Sequence, residues 1–224
     1  MFNQCGPLTG PGPVPPKPLS DCGLRGDWMQ MYSGRRWFPL DPKPDQFTLE
    51  DLAAGLASEC RYGGQGRIEL HYSVAEHCII GAQYFVSIGK PKLAIAFLFH
   101  DAAEGLCKDI PRALKRALGK AYSDIEDANF EVIQKKYLGG LCAVMNGPDY
   151  AEVKTVDNRI LVNEKEVLMR HRLDWGPHFN LLEPLPSTMF RPGFYTKSVA
   201  KDIWLSWVYE MAEMHPQYIN TRGE

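Results

Sequence analysis

Four side chains that belong in water by type fall where the surrounding spacing calls for apolar residues. His77 sits three residues after Val74 and four before Gly81, on the stripe Val74, Cys78, Gly81, Phe85, Ile88. His100 and Asp101 directly follow Ala-Phe-Leu-Phe in the most apolar stretch of the chain, and Asp157 interrupts the stripe Val153, Val156, Ile160, Leu161. An ionised carboxylate on such a face costs several kcal/mol unless it is paired or holds a metal. Any one of the four reads as a hydrogen-bonded core residue; together they read as one site. Two imidazoles and two carboxylates suit Zn²⁺, Mn²⁺, Co²⁺, Ni²⁺ or Fe²⁺ better than Ca²⁺, with Mg²⁺ also within range. One divalent ion is expected, held by residues from three core helices. Glu104 falls four after His100 and three after Asp101, so all three are expected on one helical face. A carboxylate one turn from the ligands can take or return a proton; its bland reading is a solvated helix residue.

The elements that must carry these residues read as helices throughout. Apolar residues recur at three and four over Thr48–Cys60, where Thr48 and Asp51 can cap the start. Ser73 and Glu76 form a capping-box pattern opening a helix to Ile88. Pro91 suits the first position of a third helix running through LAIAFLFHDAAEGL, apolar nearly all round and therefore central. A short helix is expected after Pro111, another over Ser123–Tyr137, and a long one from Pro148 to about Arg170. Residues 171–195 hold four prolines and read as an irregular excursion. A last amphipathic helix carries Val199, Ile203, Trp204, Trp207, Val208 and Met211. Those residues either close the core or make a subunit contact. No run alternates long enough for a strand, so the class is all-α. Trp28–Leu40 is expected to pack without regular structure. Nine of the first twenty residues are Gly or Pro, which sustain neither helix nor central strand, so residues 1–27 read as a flexible arm preceding one domain over 28–224.

Composition narrows the function. With 224 residues, the chain can bury about 70% of its extended surface and fold without a staple. Lys plus Arg number 25 against 27 Asp plus Glu, a balance that disfavours a nucleic-acid-coating or membrane-surface protein. Leu93–Phe99, the longest apolar stretch, is too short to span a bilayer. The first residues show no apolar h-region, and the six cysteines (5, 22, 60, 78, 107 and 142) never form Cys-x-x-Cys. They read as reduced thiols in a cytoplasmic protein. Arg112, Lys115 and Arg116 make a basic face after Pro111: an ordinary solvated face, or, beside a phosphotransfer site, a polyphosphate contact. His71 lies in the loop before the second helix and reads as a surface histidine within reach of a substrate.

The order His77, His100-Asp101, Asp157 resembles the H…HD…D signature of the HD-domain metal-dependent phosphohydrolases. The likeness runs from about Ser58 to Glu164, through Arg61-Tyr62, Tyr-Ser-Val-Ala-Glu-His at 72–77, Phe-His-Asp-Ala-Ala-Glu-Gly-Leu-Cys-Lys-Asp-Ile-Pro at 99–111 and Val-Lys-Thr-Val-Asp at 153–157. It is similar to the compact branch that holds bacterial deoxynucleoside 5′-monophosphatases and phage dATP triphosphohydrolases. The core motifs occupy 58–170. The resemblance implies a helical bundle with one ion on His77, His100, Asp101 and Asp157, and catalytic carboxylates at Glu104 and Asp109. It implies that Arg61 meets phosphate and sugar, and that Lys115 and Lys154 contact phosphates. The residue after the arginine, usually tryptophan in the monophosphatases and packed near C2′, is Tyr62 here, and the spacing from Arg61 to His77 is one residue longer than usual. No histidine lies between 101 and 157, where dinuclear relatives carry extra ligands. The resemblance thus implies hydrolysis of a 2′-deoxynucleotide at its 5′ phosphate group. The basic face and the segments SGRRWFPLDP and RYGG…HYSVAEH favour release of triphosphate, with dATP the leading substrate. A monophosphatase is the alternative with the same fold, and a metal-stabilised binding module the alternative of another class. Relatives often form homo-oligomers, which is expected here too.

Overall fold

The computed structural model describes residues 26–141, 145 and 147–222. The expected arm over 1–27 lies almost wholly outside them. The described chain is mostly helical, as expected for the all-α class. One element departs from that class: β1 (Met29–Gln30) and β2 (Arg36–Trp37) form a small antiparallel ribbon in the segment expected to be irregular. Its turn is held by Asp51, whose two carboxylate oxygens accept from the Ser33 backbone N–H and hydroxyl at 2.7 and 2.8 Å. Trp37 anchors it in the core, donating from Nε1 to Asn129 Oδ1 at 2.9 Å.

Helix α1 (Leu49–Ser58) starts at the expected capping box, with Thr48 and Asp51 bonding each other's backbone N–H. Helix α2 (Val74–Ser87) starts at Ser73, but only half of the expected box forms. Ser73 Oγ accepts from Glu76 N–H, whereas the Glu76 carboxylate is taken by the backbone N–H groups of Gly193 and Phe194. That contact ties the proline-rich excursion to α2, and Asn163 pins it again through both backbone groups of Leu185.

Helix α3 (Pro91–Phe99) is the most buried element, and it ends earlier than its composition suggests. The expected helix through Leu106 is broken into α3, a tight turn over 100–103, and the one-turn α4 (Glu104–Cys107). Competition for backbone carbonyls explains the break. Trp204 Nε1 donates to Leu98 O, the acceptor a continuing helix would offer to Ala102 N–H, and Ala102 turns to Phe99 O instead. His100 Nδ1 bonds Phe97 O at 2.6 Å and tightens the same turn.

Helices α5 (Arg112–Leu118) and α6 (Lys120–Tyr137) meet at Gly119, so α6 begins three residues before the expected Ser123. Helix α7 (Tyr150–Leu168) is the long helix that carries Asp157, and α8 (Pro177–Asn180) is a single turn inside the excursion. Helix α9 (Lys197–Met214) buries Trp204, Val208 and Met211 against the core, with Trp204 edge-on to Phe99 at 5.2 Å. Core closure therefore accounts for this face, and the patch that suggested a subunit contact is largely spent inside the chain.

The core lies where α2, α3, α1 and α9 pack, with α7 across α2 and α3. Two glycines allow the closest approaches. A Cβ on Gly81 would meet the Phe97 ring at 2.1 Å, and one on Gly55 would meet Gly105 O at 1.9 Å. The first lets α2 lie close on α3; the second lets α1 lie on α4, beside Glu104. None of the described helices is long and apolar enough to cross a membrane.

Candidate metal centre

Helix α2, the 100–103 turn and α7 bring His77, His100, Asp101 and Asp157 to one point. His100 Nε2 lies 3.1 Å from Asp101 Oδ2, and His77 Nε2 lies 3.9 Å from the same oxygen. Asp157 Oδ1 is 3.3 Å from His77 Nε2 and 3.9 Å from His100 Nε2. Among the described residues, His77, His100 and Asp101 form a group whose ligand atoms all lie within 4.8 Å of one another. Bonds of about 2.0–2.2 Å to one shared ion place its ligand atoms at such separations.

The hydrogen bonding of the two imidazoles fits a metal better than a packed core. Both rings are inaccessible to solvent, yet neither Nε2 has a hydrogen-bond partner. Buried polar atoms without partners are rare enough to need a reason. In each ring the other nitrogen is engaged: His77 Nδ1 with Glu164 Oε1 at 2.8 Å, His100 Nδ1 with Phe97 O. Those acceptors fix the proton on Nδ1 and leave each Nε2 lone pair free for a cation. The carboxylates of Asp101 and Asp157 keep 14% and 15% of their side-chain surface accessible, so the cluster is closed at the histidines and open at the acids. Burial alone would raise both acids. The neighbouring imidazoles outweigh it, His100 for Asp101 and His100 with His77 for Asp157, so both acids are held below the ordinary carboxylate range.

Glu104 is buried behind this cluster. Its carboxyl is pushed up to about 8 by burial and then by the charges of Asp101 and Asp109. Lys115 Nζ sits 3.1 Å from Glu104 Oε1 and 2.7 Å from Glu126 Oε1. The ammonium favours the ionised acid, but burial and the two aspartates outweigh it. Asp109 is raised as well, by burial against the pull of Arg61 and Lys115. Because the helix breaks at 100–103, Glu104 reaches the site across a turn rather than along one straight helical face. The expected basic face also divides: Lys115 is half-buried and paired, whereas Arg112 and Arg116 are exposed. Lys154 Nζ lies 3.7 Å from Asp157 Oδ2.

Arg61 and Tyr62 form the adjoining wall. Burial works against the Arg61 charge, but Glu164 and Asp101, with Nη–O distances of 3.3 and 3.4 Å, hold it firmly cationic. Tyr62 adopts φ 60°, a conformation uncommon for a non-glycine residue. Its hydroxyl donates to Glu164 Oε2 at 2.5 Å, and its ring leans on Trp175 at 5.8 Å. His71, expected at the surface, is half-buried and bonds Ala57 O through Nε2 at 3.0 Å. Cys60, Cys78 and Cys107 are free thiols; Cys5, Cys22 and Cys142 lie outside the described residues.

Glu164 is the residue that the sequence reading passed over. It is fully buried and continues the stripe Val153, Val156, Ile160, with Leu168 after it. A charged residue on an apolar stripe is the same signal that singled out Asp157, and it applies seven residues later.

No family model matches the chain. An uncharacterized protein of Rhodobacter capsulatus is 36% identical over 138 residues, covering 60% of this chain and 69% of that protein. The uncharacterized protein YfdR of Escherichia coli is 33% identical over 161 residues, covering 72% of this chain and 82% of that protein. Likeness at this level over most of both relatives places the chain in the family to which the Escherichia coli protein YfdR and its Rhodobacter capsulatus counterpart belong.

Proposed function

We propose that the chain is an HD-type, metal-dependent phosphohydrolase acting on 2′-deoxynucleotides at the 5′ phosphate group. The leading reaction is release of triphosphate from a deoxynucleoside triphosphate, with dATP first among candidates. The observation that carries the reading is the pair of buried, unpartnered Nε2 atoms converging with two carboxylates beside a buried carboxyl, Glu104, held at about 8. When bound there, a divalent ion supplies Lewis acidity and makes water a stronger nucleophile. His77, His100, Asp101 and Asp157 would hold it.

The remaining residues divide the work. Hydrolysis adds water to phosphorus and breaks its bond to the leaving oxygen, which must gain a proton. Glu104, buried beside the cluster, is the carboxyl placed to supply that proton. Asp109, also raised, is the second carboxyl able to exchange protons there. Arg61 meets the phosphate, and Tyr62 bounds the space for the sugar. Lys154 and Lys115 supply further cations, Lys115 by leaving Glu104 or Glu126.

A deoxynucleoside 5′-monophosphatase is the second reading, favoured by Lys115 being engaged with two carboxylates rather than free for a longer phosphate chain. A protein with a purely structural ion is the reading from another class. One experiment sorts them: incubation with each dNTP, NTP and dNMP under Mn²⁺, Co²⁺ and Mg²⁺, followed by product separation. Deoxynucleoside plus triphosphate supports the first reading and deoxynucleoside plus phosphate from a dNMP the second. No turnover of any substrate refutes both.

A further inference from the structure

Glu164 makes three contacts with one carboxylate. Oε1 accepts from His77 Nδ1 at 2.8 Å, while Oε2 accepts from the Tyr62 hydroxyl at 2.5 Å and from Arg61 Nη2 at 3.3 Å. It has no solvent exposure, so it is costly to keep charged unless those partners are fixed. The partners belong to two different functions. His77 is a metal ligand of the cluster, whereas Arg61 and Tyr62 form the wall beside it. Tyr62 is held in its strained backbone conformation, and its hydroxyl bond is one restraint keeping it there. A carboxylate placed this way selects the proton position on His77, orients the ring and strengthens Nε2 as a ligand.

We propose that Glu164 is a positioning residue that sets His77 for metal binding and, through its other oxygen, fixes Arg61 and Tyr62 beside the cluster. The proposal rests on the metal-centre reading but not on hydrolysis. All three donors converge on its two oxygens inside the core, so no water competes for them.

The test uses the full chain, stripped with a chelator and titrated with Mn²⁺ or Co²⁺ alone in a calorimeter. Glu164→Ala is expected to weaken metal affinity about 10–100-fold. A folded Glu164→Ala protein, by far-ultraviolet circular dichroism, with affinity within about threefold of the parent overturns the proposal. Should that variant not fold, ¹⁵N-histidine NMR of the parent decides the question. Protonated Nδ1 and unprotonated Nε2 on His77 in the metal-loaded protein support it; the reverse tautomer overturns it. Role and reaction fail separately. Metal binding that depends on Glu164 without turnover of any nucleotide sinks the hydrolase, whereas turnover with undiminished metal binding in Glu164→Ala sinks the positioning role.

Discussion

Gly55→Ala is expected to disable the site from outside it. The added Cβ would stand 1.9 Å from Gly105 O, whereas real Cβ contacts essentially never fall under 3.0 Å. The obstacle is backbone on both sides, so no side chain can rotate away. Helices α1 and α4 must separate by about 1 Å, and α4 begins with Glu104. Overpacking of this kind costs about 1–3 kcal/mol, which for a domain of this size lowers Tm by about 2–12 °C. A displacement of about 1 Å in a catalytic group can cost about 10²-fold in rate. Gly105→Ala provides the graded comparison. Its Cβ would meet Leu52 O at 2.9 Å and Leu56 Cγ at 3.2 Å, a much smaller intrusion, so both effects should be weaker. Thermal unfolding and turnover of the hydrolysed nucleotide are the assays. A Gly55→Ala protein that melts within about 1 °C of the parent, or that loses less than Gly105→Ala, would show that this contact does not set the position of α4.

Asp101→Ala should lose metal and activity together, and stoichiometric metal in that variant by elemental analysis would refute its assignment as a ligand. Glu104→Ala should keep the metal while turnover drops about 10²–10⁴-fold; near-normal turnover would pass the proton role to Asp109. In the metal-free protein the raised Glu104 carboxyl stabilises the fold while protonated, a contribution complete at acid pH and lost as pH rises through about 8. Glu104→Gln, which cannot ionise, should therefore lose less stability than the parent between about pH 4.5 and 8 in urea unfolding with chelator, and parallel profiles across that window would contradict the raised value. Trp204→Phe keeps one aromatic ring but removes the donor to Leu98 O and part of the buried indole, at an expected cost of at least about 1–3 kcal/mol; an unchanged unfolding midpoint would mean that the core repacks and the carbonyl finds another donor.

What the sequence revealed follows from the range of the forces involved. The helices over Thr48–Ser58 and Ser73–Ser87 were legible because their stripes and Ser/Thr caps are local. His77, His100, Asp101 and Asp157 were legible as polar residues on apolar faces, and Glu164 could have been found by the same rule. Arg61, Tyr62 and Lys154 carry no such mark and came only from resemblance. The break after Phe99 was hidden because its cause, Trp204, lies 106 residues away. Glu76 was similarly ambiguous: its spacing from Ser73 promises a local cap, while its actual partners are 117 and 118 residues downstream.

The bond from Trp204 to Leu98 also bears on how the chain reaches its native state. Residues 91–107 emerge from the ribosome long before α9, and alone they have the composition of one uninterrupted helix. The turn that presents His100 and Asp101 depends on a donor from α9, the latest helix among the described residues to be synthesised. On that dependence, His77, His100, Asp101 and Asp157 converge only once α9 has docked. Pulse-labelled hydrogen exchange during refolding would reveal this order: amides 100–107 should gain protection together with those of α9, and earlier protection would exclude it.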